Sequence, residues 1–261
     1  MSVHLSVVIP AYNEEKVIGS TIARVAPYLE ARGENELIVV DDGSHDSTVQ
    51  VVKGMLGRYP CLRLVEAGRN GGKGRAVKLG VLCSRGQFVL YTDADLVYPI
   101  EGAEPFVAEL ERGYDVAIGC RSHSDTLFAL NPRHFPYIYQ RYLVGRAYIF
   151  IANKLLGLGV KDTQCGFKAF RGDAARDIFS RTRTYDFAFD VEVIHIARLL
   201  DYRVAELPVY FLYLGEQSSV ELIRDSVRML RDLLAIRGNG RRGIYATPHL
   251  EEPASVIGPE P

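Results

Sequence analysis

Short runs of branched aliphatic residues recur through the first half of the chain, at 5–9, 36–40, 62–65, 87–92 and 115–119. Between them, over 14–30, 46–58, 73–85 and 102–112, apolar positions return every three or four residues. That longer period marks one buried stripe on a helix, whereas a short unbroken apolar run marks a strand covered on both faces. Their alternation predicts right-handed βαβ units, an α/β fold with a mostly parallel, Rossmann-like sheet flanked by helices. Ser44 and Asp46 stand as candidate N-caps of the second helix, because their oxygens can accept its unpaired amide protons. The second half reads differently. Residues 136–157 are helical and aromatic-rich, 165–170 form a strand, and 189–201 and 219–237 are helices. One domain is expected over 1–237, and 238–261, with Gly and Pro but little apolar period, is expected to be a disordered tail.

Composition narrows this picture only a little. The 261 residues are 48% apolar and 24% charged with a net charge of −1, enough to bury a core and too balanced to favour a nucleic-acid partner. Cys61, Cys83, Cys120 and Cys165 are widely separated, with no pair at metal-ligand spacing, so reduced thiols in a cytoplasmic setting are expected. The chain runs straight into its first strand without a secretory leader pattern, and no apolar stretch is long enough to span a bilayer. A soluble or peripheral protein is the expectation.

The candidate chemistry sits just after the strands. Asp93-Ala94-Asp95 follows Phe88–Thr92, at the strand end where open α/β sheets bind ligands. Residues i and i+2 of a strand share a side, so the two carboxylates would stand together. Such a pair is either a solvated acidic turn or a seat for a hard divalent cation that also grips a diphosphate. Asp41-Asp42-Gly43-Ser44 ends the second strand, where an acid suits a ribose hydroxyl or a base N–H, or else caps the next helix. Tyr12, after Pro10-Ala11, offers a flat polar-tipped ring that either lines a base pocket or packs. Gly68-Arg69-Asn70-Gly71-Gly72-Lys73-Gly74 would bring backbone amides, a helix N-terminus and the Lys73 charge to an anion. Its spacing is not that of a P-loop, which disfavours a nucleotide hydrolase.

Four motifs in this order resemble the family 2 glycosyltransferases of the GT-A fold: Val8-Ile9-Pro10-Ala11-Tyr12-Asn13-Glu14, Val40–Ser44, Asn70–Gly74 and Asp93-Ala94-Asp95. The resemblance implies that Pro10, Ala11, Tyr12, Glu14, Asp41 and Asp42 contact the nucleoside. It implies that Lys73 and Asp93-Ala94-Asp95 meet the donor diphosphate, with Asp93 and Asp95 holding Mg²⁺ or Mn²⁺. Further on, Lys161-Asp162-Thr163-Gln164-Cys165-Gly166-Phe167-Lys168, Phe189-Asp190-Val191-Glu192 and Glu206-Leu207-Pro208-Val209 are similar to the polyprenyl-phosphate sugar transferases. Within that branch the likeness is greatest to dolichyl-phosphate β-glucosyltransferases and next to dolichol-phosphate mannose synthases. It divides the domain into a nucleotide-sugar half, about 1–120, and an acceptor half, about 121–237, with C-terminal acceptor-side helices.

The implied activity is inverting, metal-dependent transfer of a hexose, glucose first, from UDP-glucose to a polyprenyl or dolichyl phosphate. A GDP-mannose-dependent synthase, or transfer to a small molecule or glycan, remains open. Arg121 and Arg141 match acceptor-phosphate positions, and an arginine fork binds phosphate in two places at once. Asp95, Arg121 and Asp190 are the expected catalytic residues, with Glu192 read as structural. Gln164 and Lys168, on one side of the predicted strand, are expected to approach donor sugar or acceptor. The chain departs from the pattern at Val97, Gly145 and Glu216, where relatives carry a polar residue, a small hydroxyl and a lysine. Residues 135–151, with Arg141, Arg146 and Lys154, are expected either to lie in the cytoplasmic membrane interface or to form a helix pair or dimer seam.

Overall fold

The structure, a computed structural model, describes residues 3–213, 222–249 and 254–258. It opens with β1 (Leu5–Ala11), α1 (Ile18–Glu30), β2 (Glu36–Asp41), α2 (Thr48–Met55), β3 (Leu62–Glu66), α3 (Lys73–Leu82) and β4 (Phe88–Tyr91). After α4 (Ala103–Glu111) and β5 (Val116–Gly119) come β6 (Leu127–Leu130), α5 (Phe135–Leu156), β7 (Lys168–Arg171), α6 (Gly172–Arg181) and α7 (Phe189–Leu199). The chain finishes with β8 (Val204–Leu207), β9 (Tyr210–Tyr213), α8 (Leu222–Arg241) and β10 (Ser255–Ile257).

The main sheet runs in the order β10-β3-β2-β1-β4-β7-β5-β8. β1 to β4 are mutually parallel, as the βαβ alternation requires, and β5 is parallel to β8. β7 comes from the second half of the chain and inserts antiparallel between β4 and β5, so both halves build one sheet. Strand parity sorts the core into two layers. Val7, Ile9, Leu37 and Val39 face α1 and α4 through Ile22, Val25 and Phe106. Val8, Ile38 and Val40 face the other way, toward Ala76, Ile178 and Ile194 of α3, α6 and α7. All six residues of β2 are buried, and the four between Glu36 and Asp41, Leu37–Val40, form an unbroken apolar run because both faces are covered. Each such side chain contributes about 1.5–3 kcal/mol relative to exposure.

The tail departs from expectation. α8 continues to Arg241, and the buried Tyr245 donates from its hydroxyl to Glu192 at 2.7 Å. Arg181 donates to the carbonyls of Tyr245 and Ala246, and the buried Lys78 ammonium donates to those of Thr182 and His249. β10 then pairs antiparallel with β3. Apart from the Tyr245 side chain, these contacts are made by main-chain carbonyls and one edge strand, and neither leaves an apolar period in the sequence. The strand expected at 165–170 also begins later, at Lys168, so strand parity does not relate it to Gln164.

Candidate active site

The loops after β1 and β2 are knitted together beyond the C-terminal end of the sheet. Asn13, at φ 56°, donates its N–H to Ser44 Oγ (2.9 Å) and accepts from His45 N–H at Oδ1 (2.9 Å). Ser44 is thus a bridge between loops, not a cap of α2, whereas Asp46 Oδ1 does accept from Thr48 N–H (3.0 Å). Pro10 and Ala11 end β1, Glu14 follows them, and Tyr12 stands 40% exposed at the mouth, edge-on to His45 with centroids 6.3 Å apart.

Asp41 and Asp42, expected to contact the nucleoside, are both engaged by loop amides. Both are almost wholly buried. Asp41 accepts from the N–H groups of Gly43 and Ser44, and Asp42 from those of Gly71 (3.0 Å) and Gly72 (2.7 Å). Burial pushes the Asp42 carboxyl up, with Asp41 adding to the effect, against the amides and Arg75. A buried carboxylate needs donors, and the glycine loop supplies them. In this structure the two acids shape the loops around the cleft.

β4 ends at Tyr91, so Asp93-Ala94-Asp95 lies in the turn beyond the strand and owes its geometry to that turn. Thr21 Oγ1 donates to the Ala94 carbonyl (2.5 Å), and Leu96 N–H closes the turn on Asp93 O (3.2 Å). Asp95 is exposed, accepts from Val97 N–H at 3.3 Å, and borders a cavity of about 220 Å³ with Thr21, Arg24 and Tyr213. Asp93 forms an ion pair with Lys73, the first residue of α3. Burial disfavours the Lys73 ammonium, and the charges of Asp93, Asp190 and Asp95 outweigh it, lifting its pKa above the usual lysine value. Gly166 makes room for this arrangement, because a Cβ there would sit 2.2 Å from Asp93 Oδ2. Among the described residues no group of three or more His, Cys, Asp or Glu side chains converges. Two hard carboxylates beside an open cleft fit Mg²⁺ or Mn²⁺, whose remaining positions would fall to diphosphate and water oxygens.

Behind this pair lies a fully enclosed one. Lys168, expected to approach donor sugar or acceptor, has no exposed side-chain surface; its ammonium is paired with Asp190 and donates to Cys165 O at 2.7 Å. Tyr91 donates to the same Asp190 carboxylate at 2.5 Å, with its phenol pushed well above 10 by burial and then by the Asp190 charge. Asp190, expected to be catalytic, is thus 7% exposed and held by Lys168 and Tyr91. Glu192 is buried and accepts from the N–H groups of Arg183 and Thr184, the structural role expected of it.

Arg121 faces Asp162 in a two-point fork, Nε to Oδ2 at 2.7 Å and Nη2 to Oδ1 at 2.8 Å. Gln164 N–H donates to the same carboxylate, and Arg146 Nη1 donates to Ser122 Oγ at 3.2 Å. Arg141 falls on α5, its side chain outside the described residues, as is Glu216. Asp162, Gly166 and Arg146 escaped the site assignment. Asp162 lies inside a motif already singled out, but only the fork on Arg121 gives it a role. Burial pushes the Asp162 carboxyl up, and Arg121 with its own N–H and that of Gln164 brings it below the ordinary value of 3.8. The folded protein therefore binds fewer protons here than the unfolded chain. The stabilisation is full above the unfolded pKa and is lost as pH falls through the folded one. Urea midpoints taken from about pH 5 downward should fall more steeply for the wild type than for Asp162→Asn. Parallel curves would remove Asp162 from the acid limb.

Comparison with known proteins gives the chain its family. The family model Glycosyl transferase family 2 matches residues 6–179. The chain is 33% identical over 256 residues to dolichyl-phosphate beta-glucosyltransferase of Dictyostelium discoideum, covering 94% of this chain and 77% of that protein. It is 34% identical to the Homo sapiens protein of the same name, with 89% and 74% covered. Glucosyl-3-phosphoglycerate synthase from Mycobacterium tuberculosis, solved with UDP, superposes with a TM-score of 0.64 at 23% identity over 90% of this chain and 80% of that one. Its likeness concerns the fold. Matched across two thirds of its length by the family model and across nine-tenths by relatives of one activity, the chain belongs to glycosyl transferase family 2 and is a glycosyltransferase of the GT-A fold.

Proposed function

We propose that the enzyme moves glucose from UDP-glucose to the phosphate of a polyprenyl lipid such as dolichyl phosphate, with inversion at the anomeric carbon and Mg²⁺ or Mn²⁺ as cofactor. The observation that carries this reading is the likeness to dolichyl-phosphate beta-glucosyltransferases along 89–94% of the chain. The chemistry agrees with the residues present. A lipid phosphate is already anionic near neutral pH, so its attack needs orientation more than a strong base. One phosphate oxygen bonds to C1 as the C1–oxygen bond to UDP breaks, and the electron pair leaves with the diphosphate. A divalent ion on Asp93 and Asp95 would neutralise charge on that leaving group. Lys73 supplies the chain's own positive charge on the same side. Tyr12 offers a ring face to uracil. Across the cleft, the fork on Asp162 takes Nε and Nη2 of Arg121, leaving Nη1 for an acceptor phosphate, with Arg146 close by.

No helix of the described residues is long and apolar enough to cross a membrane. α5 and β6 instead expose Phe135, Tyr142, Leu143, Phe150, Leu127 and Phe128, and Arg133, Arg146 and Lys154 are exposed on the same segment. Apolar side chains mixed with cations suit an anionic membrane surface, where a polyprenyl phosphate would be met. The test combines the purified enzyme, anionic vesicles carrying a short polyprenyl phosphate, and either UDP-glucose or GDP-mannose with Mg²⁺ or Mn²⁺. Lipid-linked glucose from UDP-glucose alone, with the protein floating on the vesicles, is the expected result. Product from GDP-mannose only would reassign the donor. Absence of transfer from either, with UDP still bound, would overturn the acceptor assignment.

A further inference from the structure

Two lysine–aspartate pairs stand side by side at the end of β4, and they differ in one respect that decides what each can do. Lys168 and Asp190 are sealed: the lysine side chain has no exposed surface, and the carboxylate also accepts from Tyr91. Lys73 and Asp93 are 25% and 28% exposed and open to the cleft. A sealed pair is fixed by the cost of separating charges in a dry interior, whereas a half-open pair exchanges partners at little cost.

The main chain at Lys73 is pinned. Gly74 N–H donates to Tyr185 O at 2.6 Å, and a Cβ at Gly74 would fall 2.6 Å from that of Phe189. Lys73 is also the first residue of α3, set directly after the two glycine amides that Asp42 holds. Only the side chain is at liberty to change partner. Its ammonium is paired with Asp93, and the charges of Asp190 and Asp95 act on it as well.

We infer that Lys73 is a resident counter-ion, which occupies Asp93 in the donor-free protein and must release that carboxylate before a divalent cation takes it. The inference rests on the reading of Asp93 and Asp95 as metal ligands. Like charges compete for one carboxylate, so the ammonium holds the site closed to metal alone. A nucleoside diphosphate changes the balance by offering the ammonium a second anion within reach of the same pinned backbone. Metal and nucleotide then bind as a unit, each raising the affinity for the other by the same factor. An ordinary surface ion pair would give no such coupling.

The test is Mn²⁺ binding to the full chain, followed by the electron paramagnetic resonance signal of free Mn²⁺, with and without UDP. The wild type should bind Mn²⁺ weakly alone and at least tenfold more tightly with UDP. Lys73→Met should bind Mn²⁺ at least tenfold more tightly than the wild type when UDP is absent, and lose most of the UDP effect. Lys73→Arg, which keeps the charge, should behave like the wild type and guards against a folding artefact. Unchanged or weaker UDP-free binding in Lys73→Met, with UDP-dependent Mn²⁺ binding intact in the wild type, overturns the counter-ion role alone. No Mn²⁺ bound by the wild type even with UDP would overturn the metal reading beneath it.

Discussion

Asp95→Ala should lower glucosyl transfer by about a hundred- to a thousandfold while leaving the fold nearly as stable as the wild type. The asymmetry follows from where the residue sits. Asp95 is exposed in the turn beyond β4, and the long bond it accepts from Val97 N–H contributes no more than about 1 kcal/mol. Its value is therefore in what it holds during reaction, when a diphosphate gathers charge at the cleft. Initial rates with saturating donor, set beside urea midpoints, check both halves of the expectation. Full activity in the variant would sink the metal assignment, whereas a large loss of stability would show that Asp95 is structural.

The largest effect on stability is expected at Lys168. Lys168→Met should cost about 3–5 kcal/mol of unfolding free energy, because it leaves the Asp190 carboxylate buried with Tyr91 as its remaining donor. Methionine fills much of the same volume, so the loss reports charge more than cavity. Adding Asp190→Asn should return a good part of it, since a neutral amide can still accept from Tyr91 and no longer needs a counter-charge. Chemical denaturation of the two single variants and the double variant closes the cycle. A double variant no more stable than Lys168→Met would mean that packing, not the ion pair, sets the cost.

The parts of the fold legible in the sequence are those with a repeated physical cause. β1 to β5 and α1 to α4 each bury a face with its own period, and the strand-end motifs mark where the loops gather. Asp93, Asp95, Lys73 and Tyr12 stood out because their neighbours are aliphatic strands and glycines. What remained hidden depends on pairings across the chain. No periodicity announces that Lys168 turns inward to Asp190, 22 residues away, or that Asp162 clasps Arg121 across 41. The hold of Asp42 on the glycine-loop amides was equally hidden, because the two partners lie about 30 residues apart. Among the described residues β6 and β9 pair with one another, and both are exposed or half-buried, so no buried apolar run marks them.

The last strand has a consequence that is colloidal. β3 is an aliphatic strand of five residues, Leu62–Glu66, and uncovered it would present a long row of unpaired amides to any second copy. β10 replaces that edge with one of three residues, Ser255–Ile257, too short to template further pairing. Residues 255–257 thus serve as a guard on the sheet, and removing them would leave β3 as an adhesive edge.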